Sequence, residues 1–172
     1  DEVILPSFTF FATASCVWRA GAQPVFVDID PQTYNIDPAQ IAAAVTDKTK
    51  AIMPVHLYGQ PADMDSINGI AERHALIVIE DAAQALGATW RGRPLGSFGQ
   101  FATLSFHETK NIISGEGGAL LVNDERFDDR AEIVREKGTD RSLFFRGLVD
   151  AAGLSAQRES HARPRPVPAR TS

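Results

Sequence analysis

Several residue types stand where a chain can do chemistry. The apolar run Leu76–Ile79 ends in an acid pair, Glu80-Asp81, followed by small Ala82 and Ala83 and by Gln84. Two readings fit Asp81: a carboxylate that caps the next helix, or an acid held at a ligand site where small neighbours let a flat molecule approach. A second run, Phe101–Phe106, leads to Lys110 and then to the glycine-rich Ser114–Gly118. A lone lysine after a strand is ordinarily solvated; packed against close backbone, one that gives up its proton becomes a nucleophile. Ser105 offers a hydroxyl to a phosphate. Phe8, Phe10 and Phe11 crowd together. They read as a core cluster, or as the source of one aromatic stacked on a planar ring. His56 follows the run Ala51–Val55 and is a candidate substrate contact. His107 either orients its neighbours near Lys110 or makes a structural hydrogen bond. Arg141 and Arg146 either meet substrate phosphates or form ion pairs. His74 reads as a surface residue. The four histidines are dispersed without ligand spacing, so no metal site is expected.

Positioning these groups takes alternating strands and helices. The runs Val25–Ile29, Ala51–Val55, Leu76–Ile79, Phe101–Phe106 and Gly118–Val122 read as buried strands, after an opening strand at Val3–Leu5. Asp37-Pro38 starts a helix running to Val45, with an acid at the cap and proline at the first helical position. Asp63 to His74 carries Met64, Ile67, Ile70 and Ala71 at helical spacing. Glu125 to Lys137 reads as a third helix, basic toward its end as the helix dipole favours. The alternation predicts an α/β domain with a mostly parallel sheet, whose ligands collect at the carboxyl ends of the strands.

Composition narrows the classes. Of 172 residues, 44% are hydrophobic and 23% charged, which suits a globular domain with a real core. One cysteine, Cys16, excludes an intramolecular disulfide framework. No apolar run approaches the roughly 20 residues a membrane helix needs, and the net charge of −5 speaks against nucleic acid as a partner. A cytoplasmic protein is expected. The chain opens at Asp1 directly into an apolar run. Residues 1–150 carry net −8, whereas 151–172 carry net +3 with Pro164, Pro166 and Pro168 at alternate positions. The expectation is a partial domain over 1–150 and a divergent, disordered tail over 151–172. That tail is either natural or the product of a frame change.

Taken with their surroundings, the acid, lysine, aromatic and serine resemble the fold-type I enzymes that use pyridoxal 5′-phosphate (PLP). More narrowly, residues 1–150 resemble the sugar aminotransferase family of the DegT/DnrJ type. The resemblance is carried by DEVILPSFTF, GAQPVFVDID, PVHLYGQPADMD, VIEDAAQALGATWRGRPLGSFG, SFHETKN, GEGGALLVND and REKGTDRSLFFRG. SFHETKN and RSLFFRG look closest to the branch that makes dTDP-4-amino-4,6-dideoxygalactose for enterobacterial common antigen.

The resemblance implies a three-layer α/β sandwich, part of a large domain. Lys110 matches the lysine that binds the PLP aldehyde and later moves a proton. Asp81 matches the acid on the pyridine nitrogen, Gln84 a contact to the ring 3-oxygen, Ser105 a phosphate hydroxyl and Phe10 the stacked aromatic. It implies a nucleotide-linked 4-keto-6-deoxy sugar as substrate, L-glutamate as amino donor, and a homodimer for the full-length parent. Segments before position 1 and after position 150 would complete the phosphate cradle and the substrate contacts. The chain alone is therefore expected to be inactive and to self-associate through bare apolar surface at Val3–Leu5 and Leu143–Phe145. Two other readings stand beside it: a non-catalytic remnant, and a PLP-dependent sugar dehydratase relative.

Overall fold

The computed structural model describes residues 1–139 and 141–148, so the expected tail over 151–172 lies outside the described residues. The chain forms two compact units, Asp1–Asn123 and a second beginning at Asp124.

The first unit is built on six strands: β1 (Glu2–Pro6), β2 (Gln23–Val27), β3 (Thr49–Ile52), β4 (Ile77–Asp81), β7 (Phe101–Ser105) and β8 (Gly118–Val122). A small antiparallel hairpin, β5 (Thr89–Trp90) and β6 (Arg93–Pro94), stands apart from the sheet. The sheet order is β2-β1-β3-β4-β7-β8, parallel throughout except for β7–β8. Three helices cover it: α1 (Phe11–Arg19), α2 (Pro38–Ala44) and α3 (Met64–His74). The chain moves outward from β1 to β2, then back past β1 to β3 and on to β4. Right-handed crossovers in opposite directions place α1 on one face and α3 on the other.

Side-chain alternation along each strand confirms this arrangement. Val3 and Leu5 of β1, Ala51 of β3, Met53 just past it, and Ile77 and Ile79 of β4 pack with Val17 and Ala14 of α1. Their neighbours Ile4, Ile52 and Val78 pack with Ile41 of α2 and with Met64, Ile67, Ile70 and Ala71 of α3. The result is a three-layer sandwich. Val3–Leu5 is buried within it, paired on both sides, so the expected bare patch there does not exist.

Local chemistry sets the helix starts. Asp37 accepts a bond from the Ala39 N–H at 2.9 Å, ahead of Pro38. Asp63 accepts from the Ser66 N–H at 3.2 Å, and α3 stops at Ala75, which takes φ +53°. α1 has neither signal: its cap, Phe10, makes no side-chain bond.

In the second unit a short turn at Glu125–Phe127 precedes α4 (Asp128–Arg135), followed by α5 (Arg141–Phe145). The single helix expected over Glu125–Lys137 is thus shorter and begins in a tighter turn. That turn is capped by Asp124, which accepts from the Arg126 N–H at 3.1 Å. Arg146 lies 3.4 Å from Asp129 and 3.8 Å from Glu132. Leu143 is half-buried, while Phe144 and Phe145 are exposed.

Candidate active site

β4 carries two consecutive acids, and its pleat sends them to opposite faces of the sheet. Asp81 shares its face with Ile77, Ile79 and α1. Its Oδ2 receives the Thr13 hydroxyl at 2.7 Å, and its Oδ1 receives the Ala83 N–H at 3.2 Å. The chain then turns through residues 82–85 and no helix follows directly, so the helix-capping reading of Asp81 falls away. Parallel pairing sets Asp81 opposite Thr103, which puts Phe101, Thr103 and Ser105 of β7 on the same face as Asp81. Ser105 Oγ accepts the His107 N–H at 3.3 Å, which leaves the hydroxyl proton to donate elsewhere.

Lys110 lies in the loop between β7 and β8, past the same carboxyl edge, and is half-buried. Backbone bonds close that loop: Phe106 N–H to the Gly117 carbonyl at 2.8 Å, Ser114 N–H to the Phe106 carbonyl at 2.9 Å, and Lys110 N–H to the His107 carbonyl at 2.9 Å. A Cβ on Gly118 would stand 2.8 Å from the Leu104 carbonyl oxygen, so the strand that leaves the loop requires glycine there. His107 bonds within its own loop. Its Nδ1 accepts the Thr109 N–H at 3.2 Å, and its Nε2 lies 3.8 Å from Glu116.

Gln84 is oriented by the backbone. Its Oε1 accepts the Tyr58 N–H at 2.5 Å, so its NH₂ remains available as a donor. Tyr58 takes φ +54° to deliver that bond, and its side chain is exposed. Phe10, at the cap of α1, is 72% exposed, and Phe8 and Phe11 are exposed as well, so the three do not form a core cluster. Exposed aromatic surface at the start of α1 leaves Phe10 open to a stacking partner.

On the opposite face, Glu80 has no exposed surface. Its Oε1 accepts the N–H groups of Phe98 at 2.6 Å and Gly99 at 2.7 Å; its Oε2 accepts Gly96 N–H at 2.8 Å and lies 2.8 Å from His56 Nε2. His56 is equally buried, and its Nδ1 accepts the Ala62 N–H at 3.1 Å. The imidazole proton therefore sits on Nε2, facing Glu80. With both ring nitrogens engaged in the interior, His56 does not face a substrate, which corrects the expectation for this residue. Burial pushes the Glu80 carboxyl up, but the bonds from His56, Gly99 and Gly96 outweigh it and hold it below its ordinary value. Arg141 belongs to the second unit, where its guanidinium lies 5.2 Å from the Phe145 ring centroid.

Sequence reasoning missed Thr13, the hydrogen-bond set on Glu80, and the Tyr58 backbone. The spacing of four between Thr9 and Thr13, across Phe10-Phe11-Ala12, is the one sequence signal that could have set both hydroxyls on one helical face. Among the described residues no three His, Cys, Asp or Glu side chains converge as metal ligands, and no helix is long and apolar enough to cross a membrane.

The sheet defines an α/β domain that carries Asp81 and Ser105 at the carboxyl ends of two neighbouring strands, with Gln84 and Lys110 in the segments that follow them. The chain belongs to the DegT/DnrJ/EryC1/StrS aminotransferase family, which matches residues 1–156. Two curated relatives show its range. It is 59% identical to a "pleiotropic regulatory protein" of Geobacillus stearothermophilus, over 86% of this chain and 40% of the relative. It is 53% identical to GDP-perosamine synthase of Caulobacter vibrioides, over 81% of this chain and 38% of the relative. Among solved structures, DesI with its TDP-sugar product superposes with a TM-score of 0.77 at 45% identity, covering 80% of this chain and 35% of DesI. NtdA of Bacillus subtilis with bound cofactor PMP superposes at 0.73 and 44% identity, covering 77% of this chain and 30% of NtdA. The chain thus spans about two fifths of the length of the curated relatives it matches.

Proposed function

We propose that the protein is a PLP-dependent aminotransferase acting on a nucleotide-linked keto sugar, with Lys110 as its catalytic residue. The observation that carries this reading is the placement of Asp81 and Ser105 on one face of two adjacent parallel strands, with Lys110 in the loop that follows the second. The donor set fits the cofactor. Asp81 has a donor on each oxygen and remains half-buried, with lone pairs left to accept from a pyridinium N–H. Gln84 would offer its amide donor to the ring 3-oxygen, Ser105 its hydroxyl to the phosphate, and Phe10 a bare ring face.

When bound, PLP supplies an aldehyde and a ring that accepts electrons. Lys110 holds the cofactor at that aldehyde. With PLP bound, its amine would move the proton between the donor's Cα and the cofactor's C4′. Asp81 would hold the proton on the ring nitrogen through a charge-assisted bond, and Phe10 would offer its exposed ring for stacking.

The finer reading takes dTDP-4-keto-6-deoxy-D-glucose as acceptor and L-glutamate as donor. The product would be dTDP-4-amino-4,6-dideoxygalactose, for enterobacterial common antigen, lipopolysaccharide or another cell-surface polysaccharide. SFHETKN and RSLFFRG support it, and the TDP-sugar in DesI supports the nucleotide. The setting is cytoplasmic, and the full-length protein works as a homodimer whose remaining three fifths complete the phosphate cradle and sugar contacts. His107 and Arg141 are candidates for contacts to the sugar nucleotide. Alone, the 172 residues are inactive as a transaminase and self-associate through surface such as Phe144 and Phe145.

The test is borohydride reduction of the PLP-treated protein and peptide mapping. A pyridoxyl adduct on Lys110 is expected; Lys110→Ala should lose the adduct and, in a full-length parent, turnover as well. An adduct confined to Lys48, Lys50 or Lys137 refutes the reading. Competing dTDP- and GDP-linked 4-keto-6-deoxy sugars with glutamate decides the nucleotide.

A further inference from the structure

A row of hydroxyls runs from the first turn of α1 into Asp81. Thr13 is 3% exposed, and its hydroxyl donates to Asp81 Oδ2 at 2.7 Å across 68 positions of sequence. Thr13 Oγ1 also lies 2.9 Å from Thr9 Oγ1. A hydroxyl has a single proton. Because Thr13 directs its proton at a carboxylate, Thr9 is the donor in the pair, and the order Thr9 to Thr13 to Asp81 is fixed by proton count. The Thr13 backbone N–H donates to the Phe10 carbonyl at 3.1 Å. One residue is therefore tied by its backbone to the exposed aromatic and by its side chain to the acid.

We propose that Thr13 is a positioning residue for Asp81. The inference rests on the PLP reading above and adds to it the group that sets the acid's angle. A carboxylate rotates in a broad, roughly two-fold well about its last side-chain bond. The Thr13 hydroxyl on Oδ2 and the Ala83 N–H on Oδ1 remove that freedom. They fix the carboxylate plane for the ring nitrogen that Asp81 would hold, while Thr9 keeps the Thr13 hydroxyl from turning away. Thr13 acts only through Asp81.

The experiment titrates the chain with PLP and, separately, with 1-deazapyridoxal phosphate, in which carbon replaces the ring nitrogen. Cofactor absorbance reports binding, so no turnover is needed. Thr13→Val keeps the shape and removes the hydroxyl; Thr13→Ser keeps the hydroxyl. Loss of one hydrogen bond to a charged group predicts about tenfold weaker PLP binding for Thr13→Val, with Thr13→Ser close to the parent. The deaza analogue should bind both variants as it binds the parent. Equal weakening of both cofactors by Thr13→Val, or no weakening of PLP, overturns the proposal. Asp81→Ala separates the two levels. If it weakens PLP selectively and Thr13→Val does not, only the positioning role fails; if it leaves PLP binding intact, the underlying reading fails with it. Should Thr13→Val lack native circular dichroism, Thr9→Val carries the same comparison. Selective weakening of PLP then supports the relay, and any other pattern overturns it.

Discussion

Replacing Glu80 by glutamine is expected to destabilise the first unit severely, although the change is nearly isosteric and distant from Lys110 in sequence. Four donors converge on the Glu80 carboxylate, two on each oxygen. Glutamine keeps one oxygen and replaces the other with an NH₂ group that can only donate. Whichever way the amide turns, two donors face two donors. His56 cannot relieve the conflict by moving its proton to Nδ1, because that atom already accepts the Ala62 N–H. Two buried donors are left unpaired at about 1–3 kcal/mol each, so the loss is about 2–6 kcal/mol. A domain's whole stability is about 5–15 kcal/mol. Urea denaturation followed by far-ultraviolet circular dichroism reads the change as a lower midpoint at unchanged slope. A loss below about 1 kcal/mol would refute the donor count, since it would require the two N–H groups to find other partners.

Three further outcomes are expected. Because the Glu80 carboxyl is held below its ordinary value near 4.5, the unfolded chain takes up its proton first as pH falls. The stability Glu80 contributes is full above that ordinary value and is lost as pH falls through the lower folded one; acid titration of the urea midpoint should show this and lose most of it in Glu80→Gln. Gly99→Ala places a Cβ 2.6 Å from the Val78 carbonyl oxygen, a backbone contact that cannot swing aside. The expected cost is about 1–3 kcal/mol in the same assay, and a neutral result would mean that β4 and the loop before β7 shift apart freely. Phe10→Ala removes a side chain that is 72% exposed. Stability should change by less than about 0.5 kcal/mol, while PLP affinity falls by the roughly 0.5–1.5 kcal/mol typical of ring stacking.

Much of the scaffold was legible because its signals are local. Asp37-Pro38 and Asp63 each supply a cap that the structure uses, and Gly118–Val122 is a strand with the expected bounds. Other strands shift by one to three residues at an end. β2 starts at Gln23 because its pairing with β1 begins there, and β4 runs on through Asp81 because parallel pairing with β7 continues to Thr103. α1 was not legible. Its sequence, FATASCVWR, holds aromatic and β-branched residues that favour strands, and its cap is a phenylalanine with no polar side-chain bond. Helix formation there is decided by Val17 and Ala14 packing on the sheet, a tertiary effect that no window of sequence contains.

The acid pair shows where a motif stops being informative. Glu80 and Asp81 are adjacent and chemically alike, and the string EDAAQ marks both as noteworthy without saying that they do different work. The two-residue repeat of a strand separates them. One turns inward, where backbone N–H groups from residues 96–99 and an internal histidine satisfy it completely; the other turns to the face of α1, where it keeps accepting capacity. His56 was misjudged for the same reason, since a histidine at a strand exit looks like a ligand until its partner is seen on the far side of the sheet. What the sequence leaves open is the set of donors that complete each carboxylate. Apart from the Ala83 N–H beside Asp81, those donors come from residues 16–68 positions away, and only the folded sheet brings them together.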